Sequence, residues 1–141
     1  MQSSTRRGEE ESMLHAQNQY LNARVQTSSP GELTLMLFNG CILFIKQGIA
    51  CMEKKDFAGK HTNFSKAQNI IEELQSTLNM EYEISHNLSS LYTFLQSKLF
   101  EANVKLDIES AQYCVTMFAE LRDTWNEALK SLKNGEKVQQ V

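Results

Sequence analysis

The stretch from Ser29 to Met52, SPGELTLMLFNGCILFIKQGIACM, constrains this chain more than any other. Ser29, then Pro30, then Glu32 three residues after the serine, is the pattern of a capping box with proline pre-set for the first helical turn. A helix is predicted to start at Pro30. From Leu33 to Met52, 14 of 20 residues are apolar, whereas one core-facing stripe takes about three in seven. At roughly 100° per residue they fall into two rows. Leu33, Leu37, Cys41, Phe44 and Cys51 form one, with Gly40 and Gly48 beside them, and Leu35, Phe38, Ile42, Ile45, Ile49 and Met52 form the other. Two adjacent apolar rows need two sets of partners. Either this is the central helix of a bundle touching two neighbours, or one row is covered by a terminal arm or another protein.

The rest of the chain reads as helix too. One proline and six glycines in 141 residues leave few places for tight turns, which favours long helices over many short strands. The length suits one domain. Residues 1–12, MQSSTRRGEEES, are polar and aperiodic and read as a disordered lead. Residues 13–28 form an N-terminal arm, mobile or a short extra helix, with Met13, Leu14, Tyr20, Leu21 and Val25 scattered through polar sequence. The first long helix is expected over about 30–54. Asp56 caps a second, where Phe57, Phe64, Ala67, Ile71, Leu74 and Leu78 recur at three- and four-residue steps. A third runs through Ile84, Leu88, Leu91, Leu95, Leu99, Ala102 and Leu106. Asp107 caps a fourth, marked by Ile108, Ala111, Val115, Phe118, Trp125, Leu129 and Leu132, with Asn134 and Gly135 as its stop signal and 136–141 as a disordered tail. Links this short imply antiparallel neighbours. The expected fold is therefore all-α: an up-down-up-down four-helix bundle over 29–135.

Composition narrows the function classes. A net charge of −3 gives no electrostatic footprint for nucleic acid or an anionic membrane. Lys54, Lys55, Lys105, Lys130 and Lys133 read instead as partners of helix C-termini. Arg6 and Arg7 are followed by glutamates rather than an apolar run, so no secretory signal is read there. No segment is expected to reach the roughly 20 apolar residues of a membrane span. These features place the chain in the cytoplasm, where Cys41, Cys51 and Cys114 are small buried hydrophobes in a reducing compartment.

Catalytic and cofactor signatures are missing. A di-iron bundle needs two Glu-x-x-His motifs and two further glutamates, and the one such motif, Glu83 to His86, sits at the break before the third helix. His15 and His61 have no companion ligands nearby in sequence. Neither a Gly-x-Ser-x-Gly elbow nor a Gly-rich phosphate loop occurs. Asp107 and Glu109 read as helix cap and dipole partner. No enzyme, no cofactor and no metal are expected. What remains is a surface, and a bundle with a doubly apolar helix suits recognition of an amphipathic segment in a groove.

At Tyr20, Val25 and the block Thr27-Ser28-Ser29-Pro30-Gly31-Glu32-Leu33-Thr34-Leu35-Met36-Leu37-Phe38-Asn39-Gly40, the sequence closely resembles the opening of the flagellar secretion chaperones, the FliS family. The likeness continues through Lys66 to Leu74, Leu99 to Asn103 and Leu121 to Trp125, and covers about residues 18–132. The resemblance implies a cytoplasmic helical bundle that binds the C-terminal segment of newly made flagellin, blocks premature filament assembly and hands its client to the flagellar type III export apparatus. It also implies an arm lying over part of the client groove. Two features depart from the pattern: Phe38 stands where the family usually has tyrosine, and the charged lead before Met13 is atypical.

On this reading Tyr20 and Val25 are arm contacts, and Leu35, Phe38, Ile42 and Ile45 with Ile70 and Leu74 line the groove. Ordinary core is the competing role for each. The alternative function is a structural or regulatory bundle without a flagellin client, forming a homodimer through the second apolar row.

Overall fold

The computed structural model describes residues 29–139, with side-chain surroundings as far as 133. The expected lead and arm, Tyr20 and Val25 included, lie outside the described residues. Within them are four helices: α1 (Pro30–Glu53), α2 (Phe57–Ser76), α3 (Glu83–Lys105) and α4 (Ile108–Gln139).

Each start expected from a capping side chain is made by that side chain. Ser29 Oγ accepts from the Glu32 amide at 3.3 Å, and its carbonyl accepts from the Leu33 amide at 2.9 Å. Asp56 accepts from the Gly59 amide at 3.0 Å. Asp107 takes both the amide and the hydroxyl of Ser110, at 3.2 and 2.8 Å. Those bonds stabilise its ionised form and hold its carboxyl below the usual range.

The ends follow different chemistry. α1 closes with Lys55 at φ 61° and α3 with Leu106 at φ 55°, both left-handed without glycine. In each case the next amide reaches back five residues, Asp56 to the Cys51 carbonyl and Asp107 to that of Ala102, satisfying helix-end acceptors in a Schellman pattern. The expected stop at Asn134 and Gly135 is corrected: α4 runs through both to Gln139. No described glycine has positive φ, and an in-line glycine weakens a helix by only about 1 kcal/mol. Lys130 and Lys133 therefore sit inside α4 rather than at its end, and Lys130 pairs with Glu127 at 3.7 Å.

Contacts from Thr34 onward have an antiparallel register. Between α1 and α2, Gly48 meets Phe64, Cys41 meets Ala67 and Gly40 meets Ile70. Between α2 and α3, Lys60 meets Asn103, Gln68 meets Gln96 and Gln75 meets Ser89. Cys114 of α4 reaches the Leu95 carbonyl of α3. In the first two sets one number rises as the other falls, compatible with the expected up-down-up-down order.

The core runs through all four helices. From α1 it takes Phe38, Cys41, Ile42, Ile45, Ile49 and Met52, from α2 Phe64, Ala67, Ile71 and Leu74, from α3 Tyr92, Leu95, Leu99 and Ala102, and from α4 Ala111, Cys114 and Phe118. Phe38 sits at a meeting of rings, 6.4 Å from Tyr92, 6.4 Å from Phe118 and 6.3 Å from Trp125 between centroids. Aromatic pairs at such distances stabilise beyond their area burial. Burial pushes the Tyr92 hydroxyl up to about 12.

One expectation about α1 needs correcting. By length and composition Pro30–Glu53 is apolar enough to cross a membrane, with a mean hydropathy of 1.6 over its most apolar window. Its strongly polar interruptions, Asn39, Lys46 and Gln47, are outweighed by the apolar residues around them. The helix nonetheless gives its second row to the other helices of the chain.

Candidate functional site

The residues expected to line a groove divide by burial. Phe38, Ile42, Ile45 and Leu74 are brought together in the core, at 1%, 5%, 0% and 0% exposure. Leu35 is half-buried, and Ile70 is half-buried against the core beside Gly40. The second row of α1 is thus the row its own bundle covers. In this conformation Phe38, Ile42, Ile45 and Leu74 present no open surface. The first row is the looser one: Leu37 and Phe44 are only partly buried, with the Lys66 ammonium 5.4 Å from the Phe44 ring centre.

Apolar surface lies elsewhere, much of it on α3. Phe100 and Val104 are 61% and 63% exposed, four residues apart and therefore on one face. Phe94 and Tyr113 meet edge to face at 6.1 Å across the α3 and α4 boundary, with Lys98 over the Phe94 ring. Met80, Tyr82 and Ile84 are exposed around the α2 and α3 link. Reading the sequence by core periodicity passed over all of these but Ile84, which it set on the apolar row of the third helix and which is 62% exposed. Their signal is negative: Phe94, Phe100 and Val104 are large apolar residues off the buried row of Leu95, Leu99 and Ala102.

The outer seam between α2 and α3 is polar. At one end the buried Lys60 ammonium donates to the Asn103 carbonyl at 2.8 Å, complementing the C-terminal dipole of α3. The Asn103 amide meets His61 Nδ1 at 3.3 Å. Toward the other end Gln75 donates to the Ser89 carbonyl and the Thr93 hydroxyl, and the Ser89 hydroxyl donates back to Gln75. Midway, Gln96 donates to the Gln68 carbonyl at 3.1 Å, but its own Oε1 is shielded and has no partner. Above it opens a groove of about 520 Å³ lined by Ser65, Gln68, Asn69, Glu72, Gln96, Ser97 and Phe100.

Among the described residues the titratable side chains are spread along the helices. In the Glu83 to His86 pair the His86 ring nitrogen Nε2 is bonded to the Met80 carbonyl at 2.9 Å. Among the described residues no three His, Cys, Asp or Glu side chains come together. Cys41 and Cys114 are buried, with thiols donating to the Ala67 and Leu95 carbonyls. Burial raises both thiols, Cys114 to about 12. Cys51 is partly exposed and its thiol is raised by burial and by Asp56. A maleimide reagent added to the native protein at neutral pH is expected to modify Cys51 alone, and faster as pH rises toward that thiol's ionisation. Cys41 and Cys114 should react only with unfolding. Mass spectrometry of the labelled peptides checks this, and rapid labelling of Cys41 in the native state would contradict the packing described.

Comparison with known proteins adds an independent line. A family model described as flagellar protein FliS matches residues 13–132. A Bacillus subtilis (strain 168) protein named flagellar secretion chaperone FliS is 39% identical over 112 residues, covering 79% of this chain and 84% of that protein. An Escherichia coli (strain K12) protein of the same name is 30% identical over 114 residues, with the same coverage of 79% and 84%. A solved structure described as a flagellar chaperone from bacteria superposes with a TM-score of 0.69 over 84% of this chain and 98% of its own, at 20% identity, showing a shared fold.

Proposed function

Since the chain belongs to the FliS family of flagellar proteins, we propose that it is a cytoplasmic export chaperone that binds the C-terminal region of flagellin, prevents its premature polymerisation and delivers it to the flagellar type III secretion apparatus. The observation that carries this reading is the family match over residues 13–132, which spans α1, α2, α3 and most of α4. The surface supports it. Phe94, Phe100, Val104 and Tyr113 expose apolar area on a well-packed bundle, and apolar area of this kind marks interaction sites. The role is stoichiometric rather than catalytic. A client that orders as it binds gives up about 2–5 kcal/mol, so the contact must be extensive and largely apolar.

Calorimetric titration with a peptide covering roughly the last forty residues of flagellin from the same source tests the proposal. A one-to-one complex with a large negative heat-capacity change is expected, the mark of apolar burial coupled to folding. Failure of the folded protein to form any complex with that peptide on a sizing column would overturn it.

A further inference from the structure

The α2 and α3 seam is paired at both ends and open in the middle, and the open part has a chemistry of its own. Lys60, Asn103 and His61 close one end, and Gln75, Ser89 and Thr93 the other. Between them the Gln96 Oε1 has no donor, and buried acceptors of this kind are rarely left without one. The orientation of the amide is not in question: exchanging its oxygen and nitrogen would put oxygen against the Gln68 carbonyl that Nε2 now serves at 3.1 Å. Around it, Ser65, Gln68, Asn69 and Ser97 line the groove with neutral hydroxyl and amide groups, and the Glu72 carboxylate adds a further acceptor. The hydroxyls and amides each donate and accept. They suit a main chain whose N–H and C=O groups are still unsatisfied, and a helix, which pairs its own main chain, offers none. Phe100 forms the apolar wall, and Val104 continues it one turn along α3.

We propose, resting on the flagellin-client reading, that this groove holds a non-helical stretch of the client, with a client N–H donated to Gln96 Oε1 and a client apolar side chain set against Phe100 and Val104. Here the main chain fixes the register of the client while apolar contacts elsewhere supply most of the affinity. Oε1 is shielded in this structure, so the half-buried Gln96 side chain must turn toward the groove as the client binds.

The test titrates the flagellin C-terminal peptide into wild type, Phe100→Ser, Gln96→Leu and the control Leu43→Ser, which alters an exposed apolar residue outside the groove. Phe100 is 61% exposed, so its variant is expected to melt with wild type while binding about tenfold or more weakly. Gln96→Leu should bind about fivefold or more weakly, and Leu43→Ser within about twofold of wild type. With ¹³C-labelled peptide, the residues whose signals Phe100→Ser perturbs should show non-helical Cα shifts. Wild-type binding with Phe100→Ser and Gln96→Leu unchanged would overturn the groove and leave the chaperone reading standing, as would helical shifts at those positions. Failure of wild type to bind would overturn both.

Discussion

Phe38→Ala is expected to cost about 3–5 kcal/mol of stability, the range for truncating a buried phenylalanine. The upper part of that range suits this site. The ring is 1% exposed and lies within 6.4 Å of the rings of Tyr92, Phe118 and Trp125, so its removal leaves a cavity walled by rigid groups that cannot close over it. Urea unfolding checks this: the midpoint should fall while the slope stays that of wild type. Phe38→Leu should recover much of the loss, because most of the volume returns. A Phe38→Ala protein with a wild-type midpoint and weakened flagellin binding would show instead that the residue is a contact surface.

Gly48→Ala carries the second large effect, for the opposite reason. A Cβ at Gly48 would overlap the ring of Phe64, which is fully buried. Overpacking typically costs about 1–3 kcal/mol, and alanine recovers about 1 kcal/mol of helix propensity relative to glycine. Overlap with a rigid ring puts this case at the top of the overpacking range, giving a net loss of about 2 kcal/mol. Phe64→Leu alone should also destabilise, by leaving a void. In the double variant the two costs should partly cancel, so a double-mutant cycle from thermal melts is expected to give a favourable coupling between the sites. Additive losses would place the strain elsewhere.

Much of the bundle could be read from residue spacing, and the misses have physical reasons. Ser29, Asp56 and Asp107 announced their helices because an N-cap bond is made by a side chain, and only a few residue types can make it. The stops at Lys55 and Leu106 carried no such signature. A Schellman closure is a backbone bond that any residue can host at a cost of about 1–2 kcal/mol for the left-handed turn. Asn134 and Gly135 have the converse lesson, since a glycine permits a left-handed turn without requiring one. The candidate site was less legible. Periodicity finds two apolar rows on α1 but cannot say which one the chain's own helices will cover, and they cover Phe38, Ile42 and Ile45. The groove at Gln96 was invisible because it depends on two helices meeting.

The length of α4 sets where the folding unit ends. α3 has 23 residues and α4 has 32, so at about 1.5 Å per residue α4 outruns its antiparallel partner by roughly 13 Å. Among the described residues Trp125 is the last packed against the core, and Leu132 is 63% exposed. The family match stops at residue 132, about two turns past Trp125. Cooperativity and ancestry thus draw nearly the same line. The turns of α4 beyond residue 132 lie outside the family match, the part of the helix whose sequence relatives need not share.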